Sequence, residues 1–459
     1  MTWRRGPARL ALATLALGLL TSRGVTTLDE AIQLDRALAW ARGEASLTLD
    51  PGELWVPTRA VAGGLWYDAG EGLRSASPPG LSLLALPLIA PAQWLEDRPF
   101  GEVARGLSGG APVDETLAPL RRDPRAGAFA LIGPIAASLT VLFVVLAARA
   151  RGLSAWAQRV TAAALAIGSP LLVYAGTVWT QTPLAALLAF ALWQTCERER
   201  RPELGALAIG VALAAAFLVR TEALLLAVPF GYAAHRTEQR WRRGSSGALL
   251  SLMAPIALAV IGWVVLFGLP AAAGGWRPAH LLAGVSGVLL SPRAGLIVHA
   301  PWALLAAFAW RSLTRDAPPV RWPVFGVPLL CVAIYGGWFD WSASLAYGPR
   351  FLVPALPCLA LGLAHVADRF ERAAVVGVAL GALLALPGAL IVHGRVAESD
   401  AWLHPEPLLA WAAQPELDWA IVDSPVLSVA LLLTGVAGLA LSWPARGARA
   451  GGAGTRGSA

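Results

Sequence analysis

Two carboxylates stand side by side at Asp29 and Glu30, in the stretch GVTTLDEAIQLDRA (residues 24–37), soon after the first long apolar run. A carboxylate partly withdrawn from water at a membrane surface can remove the proton from a hydroxyl, the work of a general base. The same pair also suits the first turn of a helix capped by Thr26 or Thr27, where acidic side chains meet the positive helix end. Asp35, farther along, is read as facing elsewhere and solvated. Arginines supply the second kind of chemistry. Arg350 opens an apolar helix in YGGWFDWSASLAYGPRFLVPALP (335–357), and an anion bound there would also meet a helix N-terminus. Arg220, between LGALAIGVALAAAFLV and TEALLLAVPFGY, and Arg293, in LLSPRAGLIVHAPWALL, hold similar positions between apolar runs. Arg74, in YDAGEGLRSASPPGLSLLALP (67–87), is a further candidate. A guanidinium is a planar fork that holds two phosphate oxygens at once, so such arginines suit a lipid phosphate. Plainer readings exist: Glu222 offers Arg220 an ion pair, Asp340 suits a solvated turn, and the tryptophans and tyrosines suit an interfacial belt.

The elements that carry these residues are those of a membrane protein. Of 459 residues, 56% are hydrophobic and only 14% charged, which assigns the chain to the membrane class. All basic residues are arginine, clustered in short loops between apolar runs, where they orient the chain; no nucleic-acid role is needed to explain them. Cys196, Cys331 and Cys358 lie in or at the ends of apolar runs without metal-ligand spacing, so neither a disulfide framework nor a zinc site is indicated.

The pattern predicts an all-α polytopic protein of about twelve transmembrane helices. They fall near 7–24, 127–148, 160–178, 182–196, 204–219, 221–234, 248–270, 294–310, 323–339, 351–367, 373–392 and 424–443. Arginine-rich loops at 149–159, 197–203, 235–246, 311–321 and 368–372 then fall on the cytoplasmic side with both termini. This solution requires 81–95, which has two internal prolines, to lie at the interface instead of spanning.

The chain divides accordingly. Residues 1–24 are the cytoplasmic N-terminus and first span, and 25–126 form a long extracytoplasmic segment with interfacial helices and the candidate acids. Residues 127–392 are the helical core, 393–423 a second outer loop, 424–443 the last span and 444–459 a disordered tail. A cleaved signal peptide is an alternative for the first span, although its small-residue cleavage pattern is poor and its loss would remove one crossing.

Taken in order, these stretches resemble the polytopic GT-C class glycosyltransferases, which include protein O-mannosyltransferases and the aminoarabinose transferases of lipid A. The resemblance runs from about residue 8 to 367: the acidic pair after the first span, LRSASPPGLSLLALP, YAGTVWTQTPLAALLAFALW, AAFLVRTEALLLAVP, LLSPRAGLIVHAPWALL and LAYGPRFLVPALP. Two positions depart from the class pattern, Ser-Ala-Ser before the prolines and Thr221 where proline is usual.

The resemblance implies transfer of a sugar from a polyprenyl-phosphate carrier to an envelope glycan, lipid or protein acceptor at the outer face of the inner (cytoplasmic) membrane, usually with inversion. It implies Asp29 as general base with Glu30 assisting, and Arg350, Arg220, Arg293 and Arg74 holding the donor phosphate. Tyr347, Tyr67 and Pro79 would contact the substrate. A divalent metal is compatible with the acids but not demanded. A transporter or flippase of lipid-linked envelope intermediates is the alternative, and it would place charges within several spans. A scaffold without catalysis is the third reading.

Overall fold

The computed structural model describes residues 5–22, 28–43, 48–49, 66–68, 73–75, 78–94, 123–197, 202–240, 247–267, 276–292, 294–338, 341 and 348–390. Thr26, Thr27, Arg293, Asp340, Tyr347, most of the first outer segment and everything after residue 390 lie outside the described residues.

Helices dominate, as predicted. After α1 (Arg5–Leu20) come α2 (Leu28–Ala41) and the strands β1 (Thr48–Leu49), β2 (Trp66–Asp68) and β3 (Leu73–Ser75). The strands form a small antiparallel sheet in the order β1-β3-β2, with Tyr67 opposite Arg74, beside an otherwise all-α architecture. The interfacial candidate is α3 (Gly80–Trp94), followed by α4 (Pro124–Ala130) and α5 (Ile132–Ala150).

The central helices are α6 (Ala155–Ala166), α7 (Pro170–Ala175), α8 (Gln181–Glu197), α9 (Pro202–Val219), α10 (Ala223–Arg240), α11 (Gly247–Phe267) and α12 (Leu281–Leu290). Three short pieces follow, α13 (Leu296–His299), α14 (Ala303–Ala306) and α15 (Ala309–Asp316). The long helices α16 (Arg321–Gly336), α17 (Leu356–Val366) and α18 (Glu371–Leu390) complete the described chain. Among the described residues, Pro124–Ala150 and Leu249–Leu266 are long and apolar enough to cross a membrane, and six shorter apolar helices accompany them.

Each predicted span up to residue 392 falls on helical structure; the 127–148 span is divided only at Leu131, and three others break more sharply. The 160–178 run breaks where Ser169 accepts the Leu171 amide at 3.2 Å and Pro170 starts a new helix. The 294–310 run breaks at Ala300, whose backbone precedes Pro301 and leaves the helical region. The 351–367 run opens as the 3-10 turn Arg350–Ala355 before α17. Helix α12 was not predicted as an element.

Packing between helices is close because small residues let backbones approach. A Cβ on Gly210 of α9 would lie 2.3 Å from the Leu252 carbonyl oxygen of α11, and one on Gly381 of α18 would lie 2.2 Å from that of Gly168. Trp302, fully buried, donates its indole N–H to the same Gly168 carbonyl at 2.6 Å.

One end of the bundle collects loops predicted to be cytoplasmic. Arg151 donates to the Asp316 carbonyl at 2.7 Å, and the Ser154 hydroxyl donates to Asp368 at 2.7 Å. Loops 149–159, 311–321 and 368–372 therefore meet.

The opposite end carries a second apolar cluster. Helix α2 packs on α3 and α4 through Ala31, Ile32, Leu34, Leu38, Leu81, Ile89 and Phe129. Its polar residues are enclosed too: Glu30, Gln33, Asp35 and Arg36 are all buried. The expected solvated Asp35 is therefore corrected, because α2 has neighbours on every side and leaves no outward face. Gln33 is matched by Ser82 of α3, whose hydroxyl lies 2.8 Å from both the Gln33 carbonyl and its side-chain amide oxygen.

Candidate active site

The site is organised by the turn GTVWTQ, residues 176–181, which joins α7 to α8. Apolar runs on both sides force the chain to reverse here, and its polar side chains must then find partners inside the protein. Thr177, Thr180, Gln181 and Thr182 are all buried. The turn sits tight against α1, since a Cβ on Gly176 would lie 2.0 Å from the Thr21 carbonyl oxygen.

Four consecutive residues of this turn contact three distant residues, Glu30, Arg220 and Arg350. The Val178 amide donates to Oε1 of Glu30 at 3.0 Å. The Trp179 indole lies under the Arg350 guanidinium, 3.7 Å from ring centroid to Cζ. The Thr180 hydroxyl accepts from Arg220 Nη1 at 3.1 Å. With its amide oxygen turned toward the guanidinium groups, Gln181 accepts from Arg220 Nη1 at 2.8 Å and from Arg350 Nε at 3.1 Å. One buried amide thus spans two cations.

Each arginine is held from behind. Arg220 follows the end of α9, and its Nε donates to Glu222 across a short turn. The pair expected from sequence is therefore present. Glu222 also accepts the Tyr335 hydroxyl of α16 at 2.7 Å, and that ring stacks on Phe351 at 4.8 Å with 8° between planes. Arg350 begins the 3-10 turn after Gly348, which takes a left-handed φ of +69°. The Arg350 amide donates to the Gly348 carbonyl at 2.8 Å. Buried His299 lies beside Gly348 and reaches the Pro292 carbonyl through Nε2 at 3.0 Å.

Of the sequence-predicted residues, Glu30, Arg220 and Arg350 converge on this one turn. Asp29 lies in the first turn of α2, next to Glu30; its side chain lies outside what is described. Pro79 is buried just before α3, and Gly80 abuts α9 close to Arg220, a Cβ there lying 2.5 Å from Leu218 backbone. Tyr67 and Arg74 are paired in register in the small sheet, and nothing described brings that sheet to the turn. Arg293 and Tyr347 lie outside the described residues.

Trp179, Thr180, Gln181 and Tyr335 were not singled out from sequence. A faint signal existed for three of them: TVWTQT interrupts two apolar runs with more polar groups than a plain reversal needs. Chemically, two guanidinium groups fixed side by side suit an oxyanion such as a phosphate, and the indole beneath one of them excludes water from its face.

No family model matches the sequence, and no curated protein matches it. Solved structures do. ArnT from Cupriavidus metallidurans in the apo state is similar over 96% of this chain and 74% of that chain, at 16% identity and a TM-score of 0.51. The same protein bound to undecaprenyl phosphate is similar over 96% of this chain and 75% of that chain, at 13% identity and a TM-score of 0.50. At these identities the likeness is one of fold.

Proposed function

We propose that this chain is a membrane glycosyltransferase that moves a sugar from a polyprenyl-phosphate carrier to an acceptor at the extracytoplasmic face. The observation that carries this reading is the bridging of Arg220 and Arg350 by Gln181. Two cations held together at a buried amide match a phosphate that must be bound as substrate and stabilised as leaving group. The fold shared with ArnT, one structure of which holds undecaprenyl phosphate, supports the same carrier here.

In this reaction the acceptor hydroxyl oxygen attacks the anomeric carbon of the sugar. The carbon–oxygen bond to phosphate breaks, and polyprenyl phosphate leaves with the electron pair. The hydroxyl proton passes to Asp29, the general base, and attack opposite the leaving group inverts the anomeric centre. Glu30, tied to the Val178 amide, sets α2 against the turn that receives both arginines. Arg220 and Arg350 take up the negative charge that develops on the departing phosphate. Arg293 and Arg74 are secondary phosphate contacts, and Tyr347, Tyr67 and Pro79 line the substrate. The arginine-rich loops face the cytoplasm, so the site opens on the outer side of the cell membrane.

The test supplies purified protein in lipid with labelled polyprenyl-phosphate sugars and compares wild type, Asp29→Asn and Arg350→Ala. Transfer by wild type, lost in Asp29→Asn and reduced in Arg350→Ala, is the expected result. Full transfer by Asp29→Asn would remove that residue from catalysis. Failure of wild type with every donor, alongside movement of the intact carrier across vesicles, would favour the transporter reading.

A further inference from the structure

We infer that Tyr335 is a positioning residue that sets the two site arginines relative to each other, an inference that rests on the proposed phosphate site. Tyr335 belongs to the last turn of α16 and is 3% exposed. Its side chain touches both arginine-bearing turns. Its hydroxyl donates to Glu222 at 2.7 Å, and Glu222 in turn accepts Arg220 Nε. Its ring stacks on Phe351, the residue after Arg350. The Arg220 guanidinium also lies over the Tyr335 ring at 5.9 Å, and the Arg350 guanidinium over Phe351 at 5.8 Å.

The two contacts use different parts of one side chain and are separable. A hydroxyl that donates to an ion-paired carboxylate holds that carboxylate, and through it the orientation of Arg220. Stacking at the ring holds Phe351 and fixes where the 3-10 turn starts, hence the reach of Arg350. Gln181 bridges the two guanidinium groups directly, and Tyr335 braces each of them through a separate part of its side chain. Tyr335 touches no reacting atom. Its part is to keep two cations at the spacing a single phosphate requires.

The experiment measures phenylglyoxal modification at individual arginines by peptide mass spectrometry, using the full-length protein in lipid nanodiscs. Tyr335→Phe, which keeps the ring, should speed modification of Arg220 severalfold and leave Arg350 near the wild-type rate. Phe351→Leu should do the reverse. Arg315, exposed at the opposite end, calibrates the reagent and should not change in either variant. Equal acceleration at all three arginines, or no change at Arg220 in Tyr335→Phe, would overturn the inference. Undecaprenyl phosphate added to wild type should slow modification at Arg220 and Arg350. Absence of that protection, with the variants behaving as stated, would sink the donor reading while upholding the positioning role.

Discussion

Glu30 and Val178 stand 148 positions apart, and the carboxylate of the first accepts the amide hydrogen of the second at 3.0 Å. Both residues are buried, so the contact is made away from water and its loss leaves a backbone donor stranded. It joins the helix that carries the candidate base to the turn that receives both arginines.

Removing the acceptor should therefore cost stability. Glu30→Ala is expected to lower it by about 1–3 kcal/mol, the range for an orphaned buried donor. Glu30→Gln keeps an acceptor oxygen and should cost less. Thermal unfolding of the detergent-solubilised protein reads both; a Glu30→Ala protein as stable as wild type would mean that the Val178 amide has another partner.

Arg350 should not tolerate lysine. Its guanidinium lies over the Trp179 ring at 3.7 Å while its Nε serves Gln181. An ammonium group keeps the charge but lacks the plane and the fork. Undecaprenyl phosphate should bind Arg350→Lys about tenfold more weakly, roughly 1.4 kcal/mol, and Trp179→Leu should fall in the same direction. Equal binding by Arg350→Lys would reduce the arginine to a point charge.

Gly348 should resist substitution by alanine. Its φ of +69° is costly for any residue with a Cβ, and that atom would lie 3.2 Å from His299 Nδ1. The left-handed backbone alone costs about 1–2 kcal/mol. Because Arg350 stands two residues on and its amide donates to the Gly348 carbonyl, Gly348→Ala should weaken undecaprenyl phosphate binding as well as lower the unfolding temperature. A variant that loses stability but binds normally would uncouple the turn from the site.

Topology gives a prediction of another kind. A reporter fused after residue 100 should register outside the cytoplasm, and one fused after residue 155 inside, if α3 lies at the interface and does not span. The opposite pattern would require α3 to cross the membrane and would reverse every later loop.

Much of this architecture was legible from apolar run length, because a membrane allows few alternatives to a helix. The breaks were less so. Ser169-Pro170 and Ala300-Pro301 are ordinary dipeptides within hydrophobic stretches, and run length averages over them. Arg220 and Arg350 were conspicuous as cations between apolar segments, and the partner offered by Glu222 could be read from its position. Tyr335 could not, since a tyrosine at a span end also fits an interfacial belt and only long-range packing brings it to Glu222 and Phe351. Asp35 misled for a related reason: a polar helix face was taken to mean water, whereas α2 is enclosed by α3, α4 and Val178. Three short strands of two or three residues carried no alternation long enough to detect.

The turn at 176–181 also fixes a timetable. On the ribosome α2 is made first, and Glu30 then has no amide to receive until Val178 has been synthesised. Arg220, Tyr335 and Arg350 arrive later still, in that order, and each is held by a segment already made. The full cluster is thus absent from every nascent chain that stops short of residue 350. The last cation to be translated is the one that completes the cluster.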